Sequence, residues 1–469
     1  MDASDVSTSD VSASDVNTSD PDQHGQNGTD LDPELLARLA DRTDNLDDLL
    51  GALSQLDPKD LERLAEGARP AKPRRPSPPP PVDGDLYDVF ENLTPEQEHA
   101  RKTTRSFMED VVHPVANEAW ENGTFPKDLI PEAGAFFDDV IGAGDYMFPY
   151  PDPVRSGIIS FEMSRVDPSF STFYGVQTGL CMGSIAMYGS DDQKERFLRP
   201  LERFDMVGSW ALTEPNHGSD ASRGLETTAR RDGDRWILNG AKKWAGNATF
   251  ADVNVVWARD VADGQVKGFL VEMDTEGYEV EQLGGKIAKR GVENVLIDLN
   301  DAHVPEENRL PGVTSFQDVG AQLASCRAGV AWEAAGLATG AYEKALEYCN
   351  ERIQFGKPVS SFQMVQDQLV SMLGTVTALQ TFVMQLGRLE EREGHISAER
   401  ASLAKVWACD AMREVVQTAR GVMGGNGILL KHDVARLFAD AEGVFAYEGS
   451  REMNALIVGR AITGQSAFV

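Results

Sequence analysis

The 469-residue sequence predicts a mostly α-helical protein with a central β domain: an N-terminal helical domain, an antiparallel β domain and a C-terminal four-helix bundle. Three observations carry this. Apolar residues follow a helical period from about residue 94 to 204 and again from about 315 to the end. Between them lie RWILNG, VNVVWARD, VKGFLVEMD, GYEVEQL and NVLIDLN, short runs rich in β-branched and aromatic residues and separated by turn residues. Three long helical patterns and a shorter terminal one then follow, broken at Phe355-Gly-Lys-Pro358 and at Gly424-Gly425-Asn426-Gly427, which suits a bundle.

Taken in order, residues 1–32 form an acidic, low-complexity repeat (DASDVSTSDVSASDVNTSD) with too few apolar side chains to order itself, and are expected to be disordered. Residues 33–67 predict a small helical module, since Asp32-Pro33 and Asp57-Pro58 each place a capping carboxylate before a proline at the first helical position. Residues 68–84, with RPAKPRRPSPPPP, read as a stiff proline-rich linker. The N-terminal helical domain is set at 85–205, and Thr94-Pro95-Glu96-Gln97 is its first capping box. The β domain is set at 206–312 and the bundle at 313–469.

Composition narrows the function. Hydrophobic residues are 41% of the chain, ample for a large core, and no apolar run reaches the roughly 18–20 residues of a membrane span. Against 44 Lys+Arg stand 75 Asp+Glu, a net charge of −31, which argues against nucleic acid as a partner. Residues 1–67 hold 17 acidic and 4 basic side chains, so the remaining chain is acidic in its own right. Such self-repulsion is tolerable where salt screens it, and points to a cytoplasm of high ionic strength. The polar, acidic start lacks the features of a secretory or transit peptide, and the four cysteines lie far apart with no CxxC; a reduced, cytoplasmic protein without a structural metal is expected.

Three local features bear on chemistry. Leu212-Thr-Glu-Pro-Asn-His-Gly-Ser-Asp220 is a turn-rich loop able to offer N–H groups and hydroxyls to a phosphate or heterocycle, though alone it reads as an ordinary loop. Arg352-Ile-Gln-Phe-Gly-Lys-Pro358 ends a long helix, where an arginine is commonly a dipole partner. Glu448 stands between an apolar run and a glycine turn; such a carboxylate is usually solvated, but partial burial would raise its pKa into the range of a general base.

Together and in this order, WALTEPNHGSD, NGAKKWAGN, RIQFGKPVSSFQ, VMGGNG and AYEGSREMNALIVGRAITG resemble the acyl-CoA dehydrogenase family, and within it the glutaryl-CoA dehydrogenase branch. The resemblance runs from about residue 90 to the C-terminus. It implies the acyl-CoA dehydrogenase fold, with FAD between the β domain and the bundle. Leu212 and Thr213 would meet the flavin's pyrimidine edge and Trp244 would pack along the ring; Gly246 stands where the family has threonine, and the missing hydroxyl near flavin N5 would either alter redox tuning or leave that edge to backbone alone. Ser219 would reach the pyrophosphate or the CoA moiety, and Ser450 replaces a cofactor-contacting threonine. Arg352, Gln363, Gly424 and Gly425 match positions that bind the cofactor's far half, commonly from a neighbouring subunit, which implies a homotetramer. Arg327 and Gly449 join Ser219 as substrate-side positions.

Glu448 matches the family's catalytic base. The implied reaction takes the α-proton of an acyl-CoA while the β-hydrogen leaves as hydride to the flavin, giving a trans-2-enoyl-CoA, with an electron-transferring flavoprotein as acceptor. Some members carry the base on an earlier helix; the corresponding Ser325-Cys326-Arg327 has no carboxylate. Glutaryl-CoA dehydrogenases bind the substrate's distal carboxylate with an arginine where this chain has Ser171, so a monocarboxylic thioester is expected over glutaryl-CoA and its decarboxylation. Oxidases of the same fold are rivals, although nitroalkane-oxidase-like members use aspartate as base. A flavin-free scaffold that kept the fold is the reading from another class.

Overall fold

The structure, a computed structural model, describes residues 54, 57–59, 61, 84–142, 144 and 146–467. The acidic repeat and nearly all of the proline-rich segment lie outside these residues. Of the 33–67 module, the described part includes its second predicted start: Asp57 Oδ1 accepts from Lys59 N at 2.9 Å and Asp57 O from Leu61 N at 3.1 Å, a capped helical turn. Contacts divide the chain into two units, Met1–Pro81 and Val82–Val469.

In the second unit, Thr94 caps α1 (Pro95–Phe107) as the sequence predicts. Its hydroxyl accepts from Gln97 N at 3.2 Å, and Gln97 Oε1 accepts from Thr94 N at 3.1 Å. The helices α2 (His113–Asn122), α3 (Ile130–Val140), α4 (Pro153–Val166), α5 (Pro168–Gly175) and α6 (Gly183–Tyr188) follow. Asp152 and Asp167 cap α4 and α5, each ahead of a proline. Between α5 and α6 the chain runs through a wide π-type stretch, Val176–Met182, whose polar side chains turn toward the interior.

The middle of the chain is one seven-stranded sheet: β1 (Gly208–Ala211), β2 (Thr228–Asp232), β3 (Arg235–Ala245), β4 (Val253–Asp260), β5 (Val266–Glu272), β6 (Tyr278–Gln282) and β7 (Val295–Pro305). Its order is β1-β4-β2-β3-β7-β6, with β5 paired to β4. The expected antiparallel sheet is corrected to a mixed one. β1 runs parallel to β4, Gly208 opposite Val253, and β2 meets β4 in parallel at Thr228 and Arg259. Alternation along a strand reports which face is buried but not the partner's direction, so the run patterns located the strands without their pairing.

The bundle holds α7 (Phe316–Glu351), α8 (Gln363–Glu393), α9 (Ala398–Val422), α10 (Val434–Ala446) and α11 (Arg451–Thr463). α7 is its spine and packs parallel to α4 at backbone distance. A Cβ on Gly336 would lie 2.0 Å from Phe161 O, one on Gly340 1.9 Å from Arg165 O, and one on Gly157 2.2 Å from the Trp332 ring. Only glycine permits this approach. By length and composition α8 alone among the described helices is apolar enough to cross a membrane, yet one face of it (Leu369, Met372, Val376, Leu379, Val383) is buried in the bundle core.

Candidate active site

α4, α5, the π-type stretch, β1, β3, α7 and the turn after α10 enclose one cavity of about 910 Å³, within the size range of ligand sites. One wall is built from the Leu212–Asp220 loop. Glu214 anchors it from behind: its carboxylate takes Lys242 Nζ at 2.8 Å, Thr227 N at 2.8 Å and Glu226 N at 2.6 Å, and these partners hold it below its usual pKa. Burial in turn pulls Lys242 down to about 8. Lys243 N donates to Thr213 O at 2.7 Å, so β3 continues alongside the loop. Leu212, Thr213, Gly218, Ser219, Lys243 and Trp244 then face the cavity. Trp244 has a left-handed φ of 73°, held by Asn294 Nδ2 on its carbonyl at 2.9 Å, and is 51% exposed.

Glu448 faces this wall. α10 ends at Ala446, and the chain turns through Glu448 (φ 56°) and Gly449 (φ 84°) before Ser450 caps α11 by accepting from Met453 N at 3.3 Å. A non-glycine residue at positive φ is strained unless its surroundings fix it. Three side chains do so. Asn454 Nδ2 donates to Glu448 O at 3.3 Å, Gly449 O at 2.9 Å and Ser450 O at 3.1 Å. Lys405 Nζ, fully buried, donates to Phe445 O at 2.5 Å and Gly449 O at 3.2 Å. Arg327 Nε reaches Glu448 O at 3.4 Å. The carboxyl itself projects into the cavity, and its buried Oε2 has no hydrogen-bond partner. Burial pushes its pKa up to about 7, opposed by Arg327 and Lys405 and aided by Glu333.

Seven of the residues singled out in the sequence therefore line one cavity: Leu212, Thr213, Ser219, Trp244, Glu448, Gly449 and Ser450. Arg327 stands behind the Glu448 turn. Gly246 lies outside the lining, its carbonyl taken by Ser209 Oγ at 2.7 Å. Arg352, Gln363, Gly424 and Gly425 are exposed and away from the cavity. They share a face of the bundle: Asn426 Nδ2 bonds Tyr348 Oη at 2.7 Å, one helical turn before Arg352, and the Phe355 ring lies 5.9 Å from that of Phe362, next to Gln363.

Sequence reasoning missed Lys289, Glu333 and Tyr447, which also line the cavity, and the two holding groups Lys405 and Asn454. Tyr447 and Asn454 stand inside the AYEGSREMNALIVGRAITG run, but their roles, like those of Lys289, Glu333 and Lys405 on other elements, come only from packing. The lining also fits a flavin dinucleotide: an indole beside a loop of hydroxyls and N–H groups, opposite an unpaired buried carboxyl.

Comparison with known proteins agrees. Models of the acyl-CoA dehydrogenase N-terminal, middle and C-terminal domains match residues 94–205, 209–302 and 316–463. An acyl-CoA dehydrogenase of Bacillus subtilis is 30% identical over 80% of this chain and 99% of its own. The structure of a glutaryl-CoA dehydrogenase from Mycobacterium smegmatis in complex with FADH2 superposes with a TM-score of 0.77 at 31% identity, over 82% of this chain and 98% of that one. Butyryl-CoA dehydrogenase from Megasphaera elsdenii gives 0.73 at 30% identity, over 79% and 99%. With all three domains matched in order around the cavity, the chain belongs to the acyl-CoA dehydrogenase family, whose members are FAD-dependent oxidoreductases.

Proposed function

We propose that this chain converts a short acyl-CoA thioester lacking a second carboxylate into its trans-2-enoyl-CoA, with Glu448 as the catalytic base and an electron-transferring flavoprotein as acceptor. The observation that carries the reading is the Glu448 carboxyl, whose buried Oε2 has no hydrogen-bond partner and whose pKa burial pushes up to about 7. A weakly acidic α-C–H needs a base in a dry site whose pKa lies near the working pH.

Glu448 takes the α-proton as the Cα–H electron pair becomes the Cα=Cβ π bond and the β-hydrogen leaves with its own pair. FAD, when bound, supplies the acceptor for that hydride. Leu212, Thr213, Trp244 and Ser450 would hold it, and Ser219 its pyrophosphate or the CoA. The N–H of Glu448 donates to no group among the described residues, which leaves it free to polarise the thioester carbonyl. The face bearing Arg352, Gln363, Gly424 and Gly425 also exposes Phe355 (93%), Met364 (80%) and Ile428 (67%). A second copy covering it would complete the cofactor site, in keeping with a homotetramer.

Against glutaryl-CoA stands the absence, among the described residues, of a free cation beside Ser171, where that branch has arginine. Ser171 accepts from Ser164 Oγ at 2.9 Å. Arg165 is held by Glu343 at 2.6 Å and Glu109 at 2.9 Å. Of the three lining lysines, Lys286 donates to Lys289 O, Val292 O and Asn294 Oδ1, Lys289 pairs with Glu333, and Lys243 stands on the Thr213–Trp244 wall with its ammonium 5.2 Å from the Trp244 ring. The test is anaerobic titration of the purified protein with butyryl-, isobutyryl-, octanoyl- and glutaryl-CoA, following flavin absorbance. Bleaching by butyryl-CoA is expected, and its loss in Glu448→Gln; flavin that no thioester bleaches would overturn the reading.

A further inference from the structure

Arg327, Lys405 and Asn454 hold the Glu448 turn by its backbone carbonyls, and a separate set of side chains holds Tyr447, the residue before the base. Lys289 is at its centre. The loop ahead of β7 carries it at a left-handed φ of 50°, with Asp440 Oδ1 accepting its N–H at 2.5 Å. Its stem crosses the last turn of α10 so closely that a Cβ on Gly443 would stand 2.6 Å from Lys289 Cγ. The ammonium ends among three acceptors: Pro168 O at 2.6 Å, Thr172 Oγ1 at 3.0 Å and Glu333 Oε1 at 2.7 Å. It also lies 5.4 Å from the centre of the Tyr447 ring. The buried Tyr447 hydroxyl meets the Glu333 carboxylate and Thr172, and a phenol meets a carboxylate as donor.

A buried ion pair is commonly no more stabilising than apolar side chains of the same volume, so stability does not account for Lys289 and Glu333, 5% and 7% exposed. What the pair supplies is place. It ties Tyr447 to α5, α7 and the β-domain loop, one residue ahead of a carboxyl that must be aimed at an α-carbon. It also brings charge. Arg327 and Lys405 favour the Glu448 anion and Glu333 opposes it, while Cys326 on α7 faces the same carboxyl. Lys289 is the counter-ion of Glu333. Resting on the reading of Glu448 as the base, we propose that Lys289, Glu333 and Tyr447 are positioning residues, a side-chain clamp that fixes where Glu448 stands against the substrate.

The test uses full-length, FAD-loaded enzyme and follows anaerobic flavin bleaching by butyryl-CoA as a function of pH, in Glu333→Gln, Lys289→Met, the double variant and Tyr447→Phe. Glu333→Gln removes an anion and leaves a bare ammonium, so the acid limb of the profile should move to lower pH. Lys289→Met leaves a bare carboxylate and should move the limb to higher pH, each by about half a pH unit or more. The double variant, neutral like the pair it replaces, should return the limb close to its original position. Tyr447→Phe keeps both charges and loses only a hydroxyl; it should leave the limb in place and lower kcat about tenfold with little change in KM. It also keeps the clamp testable if an ion-pair variant fails to retain flavin. A limb that both single substitutions leave fixed or move the same way, or an unchanged kcat in Tyr447→Phe, overturns this inference while leaving the dehydrogenase intact. If Glu448→Gln is bleached as fast as the unaltered enzyme, or butyryl-CoA bleaches neither, the base reading itself falls and takes this one with it.

Discussion

At Glu448 two influences oppose each other: burial pushes the carboxyl up to about 7, while Arg327 and Lys405 favour its ionised form. A base acts as its anion, so kcat should fall as pH drops through about 7, with a single acid limb in the pH–rate profile. Lys405→Met removes one of the stabilising charges. It should move that limb to higher pH and, by loosening the Glu448–Gly449 turn, lower kcat about tenfold with less effect on KM. Other titratable groups face the same carboxyl or Lys405, namely Glu333, Cys409, Asp410 and Glu452, and the substitution leaves them in place. A limb that stays put would show Lys405 to be a packing residue only. Glu448 was legible in the sequence because its motif is local. Lys405 was not, because a lysine in the middle of a helix looks solvent-facing until the packing of α9 against the end of α10 buries it.

Among elements, the α4–α7 contact decides most. Its glycine steps let two long helices touch along their backbones, and the Trp332 ring, which lines the cavity, fills the gap at Gly157. Gly340→Ala would set a methyl against Arg165 O and should cost about 1–3 kcal/mol, read as a lower thermal midpoint with unchanged cavity chemistry. Trp332→Ala should enlarge the cavity at that wall and raise the octanoyl-to-butyryl ratio of kcat/KM, several-fold. The start of α1 was plain in the sequence, since Thr94 satisfies an N–H three residues away; the Asp152 and Asp167 caps emerged only with the structure. The parallel pairing of β1 with β4 was not, because nothing within either run records a partner more than forty residues distant.

For the whole molecule, the net charge of −31 works against compactness through self-repulsion that salt relieves. The thermal midpoint should therefore rise as KCl goes from low to molar; a steady fall would discard a high-salt setting. A chain beginning at Val82 should keep its flavin and its activity, because that unit contains the cavity and the apolar clusters around it. The same α4–α7 seam has a consequence for biosynthesis. α4 leaves the ribosome well before Gly336 and Gly340 exist, and at about 5–20 residues per second the wait is on the order of ten to thirty seconds. During it α4 has α1 and the Phe90 ring, 5.2 Å from that of Phe161, against it, but the face that α7 covers stays open. A nascent chain stalled before Phe316 should thus be a client for chaperones and a target for proteases, while one released after the seam closes escapes both.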